Sequence, residues 1–464
     1  MDAVKSSKMN STTIKWIITL AVTAVLLLLP EVGILTMKVK LFLAITTFCI
    51  MLTAFELMPV VFVGFLMPAL YVLLGVSTIK TVMSPWVSTT LYMIVGGYAL
   101  AAVLDASGIL KRISYWILSK TGKSWYLLLF VIFIAGVVLT IVTFARGYII
   151  LAAMCVGLCK SMDIMGTKRA VAICWACMLG TCSAKCFTYC VSAYAVVINA
   201  AQSIIPNHSI TFNTAILSNW PMALVSIVIL LVIGKWYKGE GDLNSKDYFV
   251  EQLRALPALS YREKSAAVTL VILFALLVTE EIHGISNAMV FMVVPWLAML
   301  PIFGQDIEEV LKGINFKIIF FVEACLAIGA VGQEMGFGDL ITQYAVPFFQ
   351  STGNNYFVIF GVIFGIVFAL NFLMTPMAIW ALVTAPLIQV AMALGINPDA
   401  VIFSLIHCAE AIIMPYEYTP YLIVYAFGMI SMKDFIKTSV VKCLIYFPGF
   451  LFVLVPYWML IGLL

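Results

Sequence analysis

Apolar runs of about 20 residues, the length of a membrane-spanning helix, recur from near residue 14 to residue 462 with few charges inside them. Hydrocarbon supplies no hydrogen-bond partners, so each run must satisfy its backbone internally, which a helix does. A chain of 464 residues has room for roughly ten to twelve such helices plus loops. It is 64% apolar and only 10% charged, against about 25% charged in soluble proteins. The net charge of +4 is modest and gives no reason to expect nucleic acid as a partner. Residues 1–13 are short, polar and Lys-bearing, and Pro30-Glu31-Val32 after the first run is not a small-residue cleavage site. That run is therefore expected to be a first span with a cytoplasmic N-terminus, not a signal peptide. Short loops point to a bacterial inner membrane.

One strongly hydrophilic stretch, 236–264, interrupts the runs. It carries Lys238, Lys246, Arg254, Arg262 and Lys264 beside several acids, a basic excess that favours the cytoplasmic side. It divides the chain into a first transmembrane half, 1–235, and a second, 265–464. The halves share a rhythm. In the first, Gly96-Gly97, Asp105 and Gly108 end an apolar segment that leads into a basic amphipathic stretch with Lys111 and Arg112. In the second, Gly329, Gly332, Glu334 and Gly336 do the same. One long run follows each, then a break. Such weak internal symmetry is what an inverted-repeat carrier shows; the alternative is chance similarity between glycine-containing apolar segments. The expected fold is an all-α polytopic membrane protein of about eleven spans with two re-entrant hairpin pairs.

The breaks are where chemistry is expected. The last, Pro415-Tyr416-Glu417-Tyr418-Thr419-Pro420, sets two prolines and a carboxylate inside an apolar stretch. Irregular backbone at membrane depth is tolerated only where protein or a water-filled cavity covers it. An acid there is costly and marks function by default. Other breaks fall at Phe144-Ala145-Arg146-Gly147, near Gly180 to Lys185, and at Met374-Thr375-Pro376-Met377. Broken helices near the midplane are how many secondary transporters hold substrate.

Seven of the eleven cysteines lie between Cys155 and Cys190, with Cys182, Cys186 and Cys190 spaced for one helical face. Cys174 and Cys177 have metal-ligand spacing, but their apolar flanks and the lack of a nearby His favour packing. No metal or cofactor is expected. Asn10-Ser11-Thr12 and Asn207-His208-Ser209 match a glycosylation pattern that is common by chance.

Several of these segments, taken in order, resemble the divalent-anion:sodium symporter family, the INDY-like carriers of the ion transporter superfamily. Ala54-Phe55-Glu56-Leu57-Met58-Pro59 resembles that family's Thr-Glu-Ala-Ile-Pro segment. Gly75 and Ser77 followed by 84–108 and Lys111-Arg112 resemble its first re-entrant and scaffold region, and 316–336 its second-half counterpart. Residues 415–430 with Lys433-Asp434 resemble its Pro-Val-x-Thr-Pro-Pro-Asn-x-Ile-Val stretch and tail. The likeness covers most of the chain. It implies a homodimeric scaffold, elevator-like alternating access, and transport of a small organic anion, a di- or carboxylate, by symport or antiport. A membrane-embedded enzyme is not expected, since the sequence carries no His/Asp metal cluster, nucleophile motif or soluble catalytic domain, and two broken halves suit alternating access better than a channel's fixed pore. The departures are as informative. The family's Ser-Asn-Thr triplet at each hairpin tip is missing. Phe144-Ala145-Arg146-Gly147 stands at the first place and Met374-Thr375-Pro376-Met377 at the second, while Thr419-Pro420-Tyr421 replaces Pro-Pro-Asn. Sodium coupling through the usual ligands does not carry over; Na+ and H+ both stay open as coupling ions.

The expected substrate site is Arg146, Gly147, Lys185, Thr375, Pro376, Glu417, Thr419 and Pro420. A guanidinium at Arg146 would grip a carboxylate bidentately and cannot discharge by losing its proton. It would stand in for a bound cation and make transport independent of sodium; the alternative is an Arg snorkelling to headgroups. Lys185 could pair with substrate, with Glu417, or serve as a structural ion pair. Glu417 could couple protons or neutralise Arg146 or Lys185; if it faces the ligand, a proton-coupled zwitterion or amino-acid-like substrate fits better than a simple dicarboxylate. Thr375, Thr419, and Ser88, Thr89 and Thr90 would offer hydroxyls and half-helix N-termini to an anion. Tyr148, Tyr418 and Tyr421 could line the pocket. Glu56 is expected to tie helix ends, Glu323 is unassigned, and His407 with Glu410 would form a proton relay or an interhelical hydrogen bond.

Overall fold

The computed structural model describes all residues except 1, 32–35, 56, 122–123, 144–146, 240–244, 315, 354 and 373–374. Among the described residues the chain is helical throughout, with no strand. Helices Trp125–Thr143, Pro376–Ala393 and Met432–Leu460 are long and apolar enough to cross a membrane. Two bent pairs, Leu91–Ser107 with Ile109–Leu118 and Phe212–Asn219 with Pro221–Trp236, also reach that length if each is one span. Shorter apolar helices include Thr12–Leu28, Gly147–Ser161, Tyr356–Asn371 and Pro398–Cys408.

The bends have local causes. Gly108 takes φ 82° between Thr89–Ser107 and Ile109–Leu118, and the two axes meet at 74°. A side chain rarely adopts that backbone, so the turn needs a glycine. Gly336, at φ 69°, does the same between Phe316–Glu334 and the amphipathic Phe337–Ser351. Pro221 opens Pro221–Trp236 at its first position, where a missing N–H costs nothing.

The serial order of elements is repeated. An apolar helix ends at a left-handed glycine, an amphipathic helix follows, then a long apolar helix, a break and a second helix. In the first half these are Thr89–Ser107, Ile109–Leu118, Trp125–Thr143 and Gly147–Ser161. In the second they are Phe316–Glu334, Phe337–Ser351, Tyr356–Asn371 and Pro376–Ala393. One more helix follows in each, Lys168–Ser183 or Pro398–Cys408. A short 3-10 turn comes next, Ala184–Cys186 or Pro415–Glu417, and then another helix, Val191–Gln202 or Thr419–Ala426.

The chain forms two compact units, and each draws segments from both sides of 236–264. One comprises Met1–Leu91, Val196–Ser209 and Asn315–Ala409. Its centre is the helix Phe316–Glu334, packed on Val60–Leu73 and Pro376–Ala393. Phe42, Ile45, Cys49, Met67, Ala324 and Ile328 sit in its core. Gly64 and Gly329 let backbones approach closely; a Cβ at either would lie 3.1 Å from the Phe320 carbonyl oxygen or 3.0 Å from that of Ala381. Small residues are the usual means of close helix contact in lipid, where no hydrophobic gain drives helices together.

The other unit comprises Tyr92–Ala195, Ile210–Ile314 and Glu410–Leu464. Trp125–Thr143 packs along Lys168–Ser183 through Gly136 and Gly180; a Cβ at Gly180 would sit 2.2 Å from the Phe133 carbonyl oxygen. The hydrophilic stretch contributes the helix Ser245–Arg254, which packs on Ile109–Leu118. Arg112 there donates to Glu263 at 2.7 and 3.3 Å and to the Pro257 carbonyl at 2.7 Å, while Glu263 and Ser260 form a capping box that starts Tyr261–Val278.

The break expected between Gly180 and Lys185 falls at Ser183, where Lys168–Ser183 ends and the 3-10 turn Ala184–Cys186 begins. One local expectation is corrected. Leaving the helix at Ser183 takes Cys186 and Cys190 off it, so they share no helical face with Cys182.

Candidate functional site

Lys185 projects from the 3-10 turn Ala184–Cys186, just past the end of Lys168–Ser183. Its Nζ lies 3.0 Å from Oε1 of Glu410, which follows the helix Pro398–Cys408. Both side chains are buried, at 9% and 8% exposure. A third charged group, Lys442 of Met432–Gly449, completes the cluster. Its ammonium donates to the main-chain oxygen of Glu410 at 2.6 Å and to the Tyr421 hydroxyl at 2.9 Å. It also stands 4.0 Å from Glu410 Oε2 and 4.7 Å from the centre of the Tyr421 ring. A charge in such a place survives only when it is paired and hydrogen-bonded, and Lys442 is both.

An aromatic wall backs this cluster. Trp175 lies 5.9 Å from Tyr421 and 5.3 Å from Phe435, ring centre to ring centre, and Tyr421 meets Phe435 edge-on. These rings hold Tyr421 so that its hydroxyl reaches Lys442 while its face takes a cation–π contact.

Glu417 lies in the 3-10 turn Pro415–Glu417, the same place in the second half that Lys185 has in the first. Its carboxylate accepts from the Ile413 amide at 3.1 Å and the Met414 amide at 2.9 Å. These bonds hold the irregular backbone that sequence alone marks as costly. Lys185 thus pairs with Glu410, while Glu417 accepts from main-chain amides and lies within electrostatic reach of Lys442. Pro420 stands in the first turn of Thr419–Ala426, where its missing N–H is harmless; of Thr419 only the backbone is described.

Gly147 opens Gly147–Ser161 directly after the first break. Its amide donates to the Thr143 hydroxyl at 2.8 Å, and that hydroxyl donates to the Leu139 carbonyl at 2.7 Å. A Cβ on Gly147 would lie 2.6 Å from the Leu139 carbonyl carbon, so this contact requires glycine. Arg146 lies outside the described residues, as does Glu56.

Thr375 and Pro376 belong to the unit that contains Asn315–Ala409. Thr375 is the N-cap of Pro376–Ala393, yet its hydroxyl is buried and makes no hydrogen bond. In the same unit Glu323 is fully buried in Phe316–Glu334. His407 lies on Pro398–Cys408, and Glu410 follows beyond the end of that helix. Ser88 donates to the Pro85 carbonyl at 2.7 Å.

Lys442 is the residue that sequence reasoning missed. Its signal was present: it is a lone ammonium close to the start of the terminal apolar run.

The chain is similar to known carriers. The family model described as CitMHS, citrate transporter, matches residues 50–407. No curated protein matches the sequence. Among solved structures, the YdaH transporter of Alcanivorax borkumensis is 14% identical with a TM-score of 0.56, covering 82% of this chain and 88% of that one. MtrF of Neisseria gonorrhoeae, described with a class of antimetabolite efflux pumps, is 16% identical with a TM-score of 0.58, covering 83% of each chain. At these identities the two structures establish a shared fold. The resemblance read from the sequence holds at the level of the ion transporter superfamily, and the protein is a multi-pass membrane transporter, not an enzyme. The chain belongs to the CitMHS citrate transporter family.

Proposed function

We propose that this protein is a secondary transporter of a small organic anion, a di- or tricarboxylate of the citrate kind, working by elevator-like alternating access. The observation that carries the reading is the gathering of two buried lysines, Lys185 and Lys442, around the single carboxylate of Glu410. Lys185 and Lys442 offer two buried ammonium groups at a place where the helix has ended, with Glu410 between them and the Glu417 carboxylate within electrostatic reach of Lys442. Ammonium groups so placed favour an entering carboxylate over an organic cation. The family match supports the substrate class. The repeated serial order of helices, glycine turns and breaks supports the inverted repeat.

Lys185 binds a substrate carboxylate, Lys442 and Tyr421 fix the charge around it, and the Glu417 bonds hold the broken backbone in shape. Arg146, placed by sequence at the neighbouring break, supplies a second anion contact and stands in for a coupling cation. The rival reading, a proton-coupled carrier of a zwitterion, drew on a Glu417 that faces the ligand; its bonds to the Ile413 and Met414 amides lend that reading no support. The resemblance to the divalent-anion:sodium symporter family supports a homodimer.

The test is uptake of labelled citrate and succinate into proteoliposomes, with and without a sodium gradient and with and without internal substrate. Uptake that ignores sodium and rises with internal substrate is expected. Arg146→Ala should lower it at least about tenfold, as loss of a charged carboxylate contact does. Sodium-dependent uptake, or full activity in Arg146→Ala, contradicts the role given to Arg146.

A further inference from the structure

Glu410 is bonded through half of its carboxylate. Oε1 meets Lys185 Nζ at 3.0 Å, whereas Oε2 is buried and makes no hydrogen bond, with Lys442 Nζ 4.0 Å away. An ionised carboxylate offers about four acceptor positions. Leaving one oxygen unmet in a buried site is costly, so the arrangement needs an explanation. Lys442, in contrast, is anchored by groups that do not turn with that carboxylate: the main-chain oxygen of Glu410, the Tyr421 hydroxyl and the face of the Tyr421 ring. It stays in place whichever way the Glu410 side chain points. Closing 4.0 Å to an ordinary charged contact of about 2.8 Å takes a turn of one side chain and no movement of a helix.

We propose that Glu410 is a two-position carboxylate that holds Lys185 in the empty carrier and turns to Lys442 when a substrate carboxylate takes Lys185. The inference rests on the reading of Lys185 as an anion-binding residue. Before the exchange, Lys185 has the Glu410 carboxylate, and Lys442 is hydrogen-bonded by two neutral oxygens with the Glu417 charge within electrostatic reach. Afterwards each lysine has a carboxylate. No buried charge loses its last acceptor on the way, and no proton has to move. Glu410 is then an internal competitor of the substrate, and Lys442 is the positioning residue that draws the competitor off.

The two residues therefore act on affinity with opposite signs. A structural ion pair would give one sign, since breaking a buried pair from either side is destabilising. Glu410→Gln keeps the volume and removes the competing charge, while Lys442→Gln removes the second station. The experiment is isothermal titration of citrate, and in parallel succinate, into the purified full-length protein in detergent. Size-exclusion profile and ligand-free melting temperature report folding. Glu410→Gln should bind roughly tenfold more tightly than wild type, Lys442→Gln several-fold more weakly, and Lys185→Gln at least about tenfold more weakly. If Lys442→Gln fails to fold, Glu410→Gln decides alone. Unchanged or weaker binding by Glu410→Gln, with Lys185→Gln still weakened, overturns the two-position role and leaves the anion site standing. Wild-type affinity in Lys185→Gln, or a wild-type protein that binds neither probe, overturns both.

Discussion

Gly147 shows how little freedom the site leaves to single residues. Its amide is tied to Thr143, and the Leu139 backbone fills the space where a side chain would go. Gly147→Ala should therefore cost about 1–3 kcal/mol, the usual penalty for overpacking, seen as a lower melting temperature with loss of transport. An unchanged melting temperature would mean that the Gly147–Leu139 contact is looser than this geometry. Lys185 and Glu417 were legible in the sequence because charge inside an apolar run is conspicuous. The partner of Lys185 was not, because nothing local to either residue ties it to Glu410, which lies far along the chain. Lys442 was passed over since one ammonium barely alters the hydropathy of a long terminal span, though its burial at 1% exposure makes it as consequential as Lys185.

Elements were legible where backbone chemistry dictates them. Gly108 and Gly336 mark the bends before the amphipathic helices, and Pro376 and Pro420 mark helix starts after breaks. The break expected between Gly180 and Lys185 falls at Ser183, because Gly180 itself serves close contact with Phe133 inside its helix. The contact between Arg112 and Glu263 was invisible, since it joins Ile109–Leu118 to the end of the hydrophilic stretch. Hydrogen bonding to Arg112 holds the Glu263 carboxyl below its ordinary range, helped by the Ser260 amide and hydroxyl against the opposing effect of burial. A carboxyl lowered on folding contributes stability above its unfolded pKa, and that contribution is lost as pH falls through the folded pKa. Wild type should thus lose more melting temperature than Glu263→Gln on acidification below the ordinary carboxylate range. Parallel losses in the two proteins would remove the pair from the stability account.

At the scale of the whole molecule, the sequence reading divides the chain at 236–264, whereas each compact unit takes segments from both sides of that stretch. Neither side owns a complete hydrophobic core. Residues 1–235 expressed alone should therefore aggregate or be degraded, and co-expression with 265–464 should restore a monodisperse protein. A 1–235 fragment that melts cooperatively by itself would contradict this. The serial repeat of helix, glycine turn, helix and break could be seen in the sequence because prolines and glycines punctuate it. How segments far apart in the chain assort into units could not, because apolar helix faces carry little pairing information in their composition.

The most direct test of the account is the initial rate of labelled citrate uptake by proteoliposomes holding wild type or Lys185→Gln at equal, folded amounts. The account predicts uptake well above that of empty liposomes for wild type and a loss of at least about tenfold in the variant. Equal rates for the two proteins, or wild-type uptake no faster than empty liposomes, would contradict it.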